Sequence, residues 1–395
     1  MKREDRSDVL VIGGGPSGLR VAARLAAGGL DVRVLDRKAA VGRDVVCTGI
    51  VDREVFARFG LETGPVVRDL RDARLVSPFG TVVTYSHPRP FACVVDRERF
   101  DVSLAAAAAA AGAEISFGRR VEEISVEPRG VKATILTEDS SPIRHSAAVA
   151  IIATGVDGSL QKKAGLDCPR DFLCGAQTEV PSPEGEPTSI LFGRAVAPGA
   201  FGWSVPAGDR ARVGLLTTKD ARALLLRLLE AIGRPGGEAA ASVRTRAVAQ
   251  GLVSRTTRDR ILSVGEAAGQ IKTTTGGGIS YGLLCADFAA ETILECFRRS
   301  SFGAGSLATY EIRWRRAIER EIVIGQYMRR MCARLSDSRV EALFRLAQTD
   351  GIIPIIQESA DFDRHSGLIF ALLERLSFMK SFRSIKDGAG RISPS

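Results

Sequence analysis

Asp8-Val-Leu-Val-Ile-Gly13-Gly-Gly-Pro-Ser-Gly18 is the stretch that decides the fold. Residues 9–12 are apolar without alternation, as expected of a parallel strand covered on both faces. Gly13, Gly15 and Gly18 then fit Gly-x-Gly-x-x-Gly, and an Ala/Leu-rich helical stretch runs to Ala27 before Gly28-Gly29. A second apolar run, Val32-Arg-Val-Leu, ends at Asp36, 23 positions after Gly13 and near the roughly 20 expected of an acid that accepts from ribose hydroxyls. Glycines make the tight turn and let a pyrophosphate approach the helix N-terminus, whose unpaired N–H groups and dipole favour an anion. Gly13, Gly15, Pro16, Ser17, Gly18, Asp36 and Arg37 are therefore read as one dinucleotide-binding set. The motif alone leaves open whether the dinucleotide is FAD or a nicotinamide.

Working outward, Ala147-Ala-Val-Ala-Ile-Ile-Ala-Thr-Gly155 is a second buried strand ending in Thr154-Gly155, and Ile261-Leu-Ser-Val-Gly-Glu266 is a third. Lys272-Thr-Thr-Thr-Gly-Gly-Gly-Ile-Ser-Tyr-Gly282 follows and opens a helix through about Cys296. These segments resemble the flavoprotein group containing the geranylgeranyl reductases, within the glutathione-reductase/p-hydroxybenzoate-hydroxylase-like fold. The resemblance implies that the cofactor is FAD, with its diphosphate on the first glycine cluster. It implies that the acid after the third strand, here Glu266 where the group usually has Asp, binds the ribityl or phosphate region. Backbone N–H groups of Gly277, Gly278 and Ile279 would lie near the isoalloxazine. Arg97, in an Arg-x-x-Phe-Asp element, would reach the cofactor, and the backbone of Val121 would meet the adenine.

On the substrate side, Pro198-Gly-Ala-Phe-Gly-Trp-Ser-Val-Pro206 resembles the aromatic–x–Trp–x–aromatic/apolar–Pro signature of these reductases, with Phe201, Trp203 and Pro206 matching and Val205 where Phe is frequent. Phe201 and Trp203 are two apart, so on a strand they share one face, a candidate wall for a lipid channel. Halogenases of the superfamily prefer Trp-x-Trp-x-Ile-Pro, and only one Trp occurs here. Cys47, in Gly42-Arg-Asp-Val-Val-Cys-Thr-Gly-Ile50, matches a Cys that the group places at the substrate/flavin junction. Cys47, Tyr281 and an ordered water are the candidate proton donors, none favoured by spacing.

The fold class expected is α/β: a discontinuous Rossmann-like FAD-binding domain (1–65, 95–170 and 250–300), an antiparallel β-sheet substrate domain (66–94 and 171–249) and a helical C-terminal region (301–395). Helix is expected over 305–380, with a frayed end at 387–395. Seven Cys form no Cys-x-x-Cys pair, and the three His are dispersed, so no metal site or disulfide framework is expected. The charged start without an apolar core reads as no secretory signal, and no apolar run reaches 18 residues. The expected location is cytoplasmic, with a peripheral membrane contact suggested by nine Arg against five acids in residues 311–345. The net charge of +9 comes with no nucleic-acid recognition module, so nucleic acid is set aside.

The resemblance implies an FAD-dependent reductase that saturates isoprenoid double bonds. No second dinucleotide cradle is present for NAD(P)H, so electrons would come transiently from NAD(P)H or from a reduced ferredoxin-like protein. Three alternatives stay open: an electron-transfer flavoprotein of the FixC branch, a flavin monooxygenase, and a prenyl-binding protein resembling GDP-dissociation inhibitors.

Overall fold

The computed structural model describes residues 5–137, 141–234, 237–348, 356 and 361–371. Its centre is a sheet of eight strands. The main path runs Thr257–Arg258, Ile261–Ser263, Pro142–Ile152, Asp5–Ile12, Val32–Leu35, Glu114–Ser116. Apart from the first pair, neighbours on this path are parallel. The antiparallel strands Arg120–Glu127 and Gly130–Leu136 are attached to the first half of Pro142–Ile152.

Alternate residues of the first strand feed two cores, as a period of two requires. Val9 and Val11 face helices Pro16–Ala27, Arg97–Ala110 and Ile279–Arg298 through Leu19, Leu25, Phe100, Leu104 and Ile293. Leu10 and Ile12 face Val121, Ile124, Val131 and Ile135 of the attached antiparallel pair. Both faces are dry, which is why residues 9–12 carry no polar alternation.

Register sets the site. Ile12 lies opposite Leu35 on one side and Ile152 on the other, and Ile152 lies opposite Ser263. The loops after these four strands, carrying Gly13, Asp36, Thr154 and Glu266, therefore leave the sheet along one edge, the carboxyl edge where open α/β sheets bind ligands.

A second sheet of seven strands runs Arg244–Gln250, Asp171–Pro181, Arg210–Thr217, Gly202–Ala207, Ser189–Leu191, Asp72–Val76, Val82–Ser86, antiparallel except between Ser189–Leu191 and Asp72–Val76. The segment 66–94, expected wholly on the substrate side, divides. Val66–Leu70 and Ala92–Val95 pair instead with Ile50–Asp52 in a sheet of three. Ala92-Cys-Val-Val95 is buried at every position, and a strand apolar on both faces needs cover on both.

C-terminal helices Ala304–Trp314, Arg320–Cys332 and Asp337–Ala347 follow, the first two joined by a π turn at Arg315–Glu319. Residues 366–371 are helical. Within the helix expected over 305–380, residues 333–336 and 361–365 are not helical, the latter turning to line the cavity; residues 349–355, 357–360 and 372–380, and the frayed end expected at 387–395, lie outside the described residues. Among the described residues no helix is long and apolar enough to cross a membrane.

Candidate active site

One cavity of about 690 Å³ lies between the carboxyl edge of the first sheet and the face of the second. Gly15, Thr154 and Gly277, from three separated strand ends, all line it. The turn at Gly13 requires glycine: φ is +113°, and a Cβ would stand 2.3 Å from the carbonyl oxygen of Ala153. Gly18 does not line the cavity. A Cβ on it would meet the carbonyl oxygen of Gly13 at 1.9 Å, so its part is to let the helix close on the strand.

Two helices present uncapped N-termini to this space. Pro16–Ala27 starts at Gly15 with no side-chain cap and no acid in its first turn, and nothing lies within 4 Å of where a Gly15 Cβ would be. Ile279–Arg298 starts at Gly278, likewise with no side-chain cap. Uncapped N–H groups at a helix start are donors waiting for an acceptor, and they favour an anion. A dinucleotide diphosphate fits the first helix start, and an electron-rich flavin ring fits the second.

Asp36, Arg37, Val121, Pro16, Ser17 and Gly155 line the same cavity. Asp36 Oδ2 accepts from the Gly14 N–H at 2.6 Å and Oδ1 from the Lys38 N–H at 2.8 Å, which fixes the carboxylate and leaves lone pairs for a ribose. Arg37 is half-exposed and pairs with Asp157 at 2.8 Å. Thr154 donates from Oγ1 to the Asp157 carbonyl at 2.9 Å.

Glu266 and Arg97 reach the cavity but spend their charge within the protein. Glu266 accepts from Arg246 and, at 3.1 Å, from the Ala249 N–H, so its extra methylene clamps the third strand end to the second sheet. Arg97 starts the helix Arg97–Ala110 and forms a two-oxygen pair with Asp101 at 3.0 and 3.1 Å.

Cys47 lines the cavity beside Arg97. Burial alone would push its thiol up. The Arg97 guanidinium, the Gly49 N–H donating to Sγ at 3.3 Å, and Arg246 outweigh that and hold it below the ordinary thiol value. The buried Cys93 thiol, by contrast, is pushed up to about 12 by burial. All seven cysteines are free. Tyr281 is buried off the cavity, and its hydroxyl donates to the Asp363 carbonyl at 2.6 Å. The structure therefore does not bring this candidate to the site.

Phe201 and Trp203 both line the cavity from strand Gly202–Ala207 and its entry, ring centroids 6.1 Å apart, joined by Val205, Ile190, Leu216 and Val248 in one apolar cluster. Gly214 makes room for the indole: a Cβ there would lie 2.5 Å from it. Pro206 is buried in the same strand, opposite Ala211, and does not line the cavity.

Several residues that motif reading passed over belong to the site. Gln177 accepts from the Trp203 Nε1–H at 3.3 Å and donates to the Cys47 carbonyl at 3.0 Å, tying the apolar wall to the cysteine loop. Gln177 lies in the buried middle of strand Asp171–Pro181, residues 175–178, with polar Thr178 beside it, so its residue type alone did not mark it. Lys272, Phe362 and His365 also line the cavity; the last two come from a polar stretch of the tail that carries no motif.

Asp52, beside Lys272 and Asp363, gives a pH prediction. Burial pushes its carboxyl up from 3.8 to about 6, Asp363 adding to this while the Glu54 N–H and Lys272 oppose it. The folded value exceeds the unfolded one, so this group's contribution to stability is full below about pH 4 and is lost as pH rises through about 6. Asp52→Asn is expected to match the parent in thermal unfolding near pH 4 and to melt about 1–3 °C higher near pH 8. Equal melting of the two proteins at both pH values would refute the shift.

A nucleotide cradle on a parallel sheet that shares its cavity with an aromatic wall from an antiparallel sheet defines an FAD-dependent oxidoreductase of the glutathione-reductase/p-hydroxybenzoate-hydroxylase-like fold. The family model described as "FAD binding domain" matches residues 6–172. The digeranylgeranylglycerophospholipid reductase 2 of Methanothermobacter thermautotrophicus is 30% identical over 352 residues, which cover 86% of this chain and 91% of that protein. A geranylgeranyl bacteriochlorophyll reductase-like protein from Thermoplasma acidophilum superposes with a TM-score of 0.82 at 21% identity, over 97% of this chain and 99% of that one. The p-nitrophenol 4-monooxygenase of Pseudomonas putida shares the fold at a TM-score of 0.72 and 20% identity, over 92% and 99% of the two chains. On the identity and coverage of the first of these, the chain belongs to the geranylgeranyl reductase family.

Proposed function

We propose that the protein saturates isoprenoid double bonds of a prenyl lipid, prenyl quinone or prenyl diphosphate. The observation that carries this is the Phe201–Trp203 wall opening onto the same cavity as the Gly276–Gly278 turn. Relatives named digeranylgeranylglycerophospholipid reductases support an isoprenoid chain as the substrate class. Reduced FAD, when bound, supplies a hydride. The glycine cluster, Asp36 and Val121 would hold the nucleotide half, and Glu266 with Gly277, Gly278 and Ile279 would border the flavin half.

An isolated alkene is not electrophilic, so a proton must reach one carbon as hydride reaches the other. We assign that proton to Cys47 Sγ, the acidic group at the junction of the two halves, which recovers it from solvent. Trp203 and Phe201 exclude water and offer π faces to developing positive charge, worth up to about 2 kcal/mol when desolvated. NAD(P)H or a reduced ferredoxin would supply the electrons.

A peripheral membrane contact fits the C-terminal helices. Helix Arg320–Cys332 packs Ile322 and Gly325 inward against residues 273–274 and exposes Val323, Tyr327 and Met331, four residues apart, on its other side. Much of the local basic excess is neutralised: Arg313, Arg315, Arg329, Arg330 and Arg345 pair with acids. Arg316, Arg320, Arg334 and Arg339, with no acid partner among the described residues, would face an anionic bilayer.

The test is the dithionite-reduced holoprotein with a geranylgeranyl lipid in anionic or zwitterionic vesicles, followed by mass spectrometry. The expected product gains two mass units per bond, faster in anionic vesicles at low salt. Unchanged lipid rejects the reading, and equal rates in the two vesicles reject the membrane contact. Oxygen consumption coupled to NAD(P)H would mark a monooxygenase; quinone reduction from a protein donor, without saturation, would mark an electron-transfer flavoprotein.

A further inference from the structure

The tail of the chain returns to the site. Phe362 lines the cavity, and its ring packs into the apolar cluster that holds Trp203, Val205, Leu216 and Phe201. The Lys272 ammonium, just ahead of the Gly-rich turn, stands 4.0 Å from the ring centroid. The phenyl group therefore touches both the aromatic wall and the lysine that precedes the turn.

Its position is held from several directions. Lys272 Nζ donates to the Phe362 carbonyl at 3.0 Å and pairs with Asp363 at 2.9 Å, both side chains about nine-tenths buried. Tyr281 donates to the Asp363 carbonyl, and the Ser366 N–H and hydroxyl both donate to Glu321. A buried ion pair roughly offsets its own desolvation, so it adds little net stability. What this one does is place a single ring at a single point.

We propose that Phe362, latched by Lys272–Asp363, is the end wall of the apolar part of the cavity and sets the length of isoprenoid chain admitted. This rests on the isoprenoid reading above. A chain lying along Phe201 and Trp203 runs into the ring at the Lys272–Asp363 end of the cavity. Removing the phenyl group frees six carbons of volume, and one isoprene unit has five, so the wall should retreat by about one unit. In an apolar pocket even one methylene discriminates by roughly 10–200-fold.

The experiment measures dissociation constants of the FAD-loaded parent, Phe362→Ala and Phe362→Trp for linear prenols of three, four and five isoprene units, by quenching of tryptophan fluorescence. Phe362→Ala should shift the affinity ratio of five units over four by about ten-fold or more toward the longer chain. Phe362→Trp should shift the ratio of four units over three toward the shorter one. Flavin absorbance is recorded alongside; if the Ala protein loses its flavin, Phe362→Leu takes its place. Ratios unchanged within two-fold across the variants overturn the end wall and leave the isoprenoid reading intact. A parent protein that binds none of the prenols overturns both.

Discussion

Replacing Gly15 with Asp is expected to leave the apoprotein folded and to strip it of flavin. A side chain at position 15 meets nothing within 4 Å, and the backbone there is extended at φ −85°, ψ 178°. Asp is moreover a favourable N-cap, better than Gly by roughly a few tenths of a kcal/mol. The carboxylate would accept from the N–H groups that a diphosphate needs and would repel that diphosphate. Two like charges about 4 Å apart exchange about 4 kcal/mol at an effective dielectric near 20, or roughly a thousand-fold in affinity. Gly18→Ala is the contrast: its methyl group collides with the Gly13 carbonyl, so flavin and stability should fall together. Visible absorbance near 450 nm and thermal unfolding of the apoprotein separate the two cases. Full flavin retention in Gly15→Asp would remove the cradle from this helix.

Cys47→Ala should slow prenyl reduction by about 10²–10⁴-fold, the range for a lost general acid, with flavin content unchanged. The pH dependence carries its own sign. Only the protonated thiol can donate, and Arg97 holds its titration below the ordinary value of 9.0. The parent's rate should therefore decline as pH rises through a point below 9, and that decline should be missing from the residual activity of the Ala protein. A rate within three-fold of the parent would return Cys47 to the role of a small apolar filler, which is how a buried free cysteine ordinarily behaves.

The cofactor half of the site was far more legible than the substrate half. Gly13, Gly15, Asp36 and Thr154 announce themselves because each sits where a backbone turn leaves a strand, and such turns restrict residue type locally. Glu266 was visible as a position, but its partners Arg246 and Ala249 were not, so the clamp between the sheets went unseen. Tyr281 looked available from its place in the first turn of the helix after the Gly-rich stretch. Helical phase turns its ring toward Asp363 instead, a residue 82 positions away.

The buried first strand, the glycine turn after it and the fit of that turn to a dinucleotide follow from local pattern in the chain, since strand burial and positive φ are properties of a few adjacent residues. Which side chains meet in the cavity was decided only by the tertiary structure. Gln177 reaches Cys47 across 130 positions, and Lys272 reaches Asp363 across 91. Contacts at that separation are chosen by how two sheets and a returning tail pack, and a short window of sequence carries no trace of that choice.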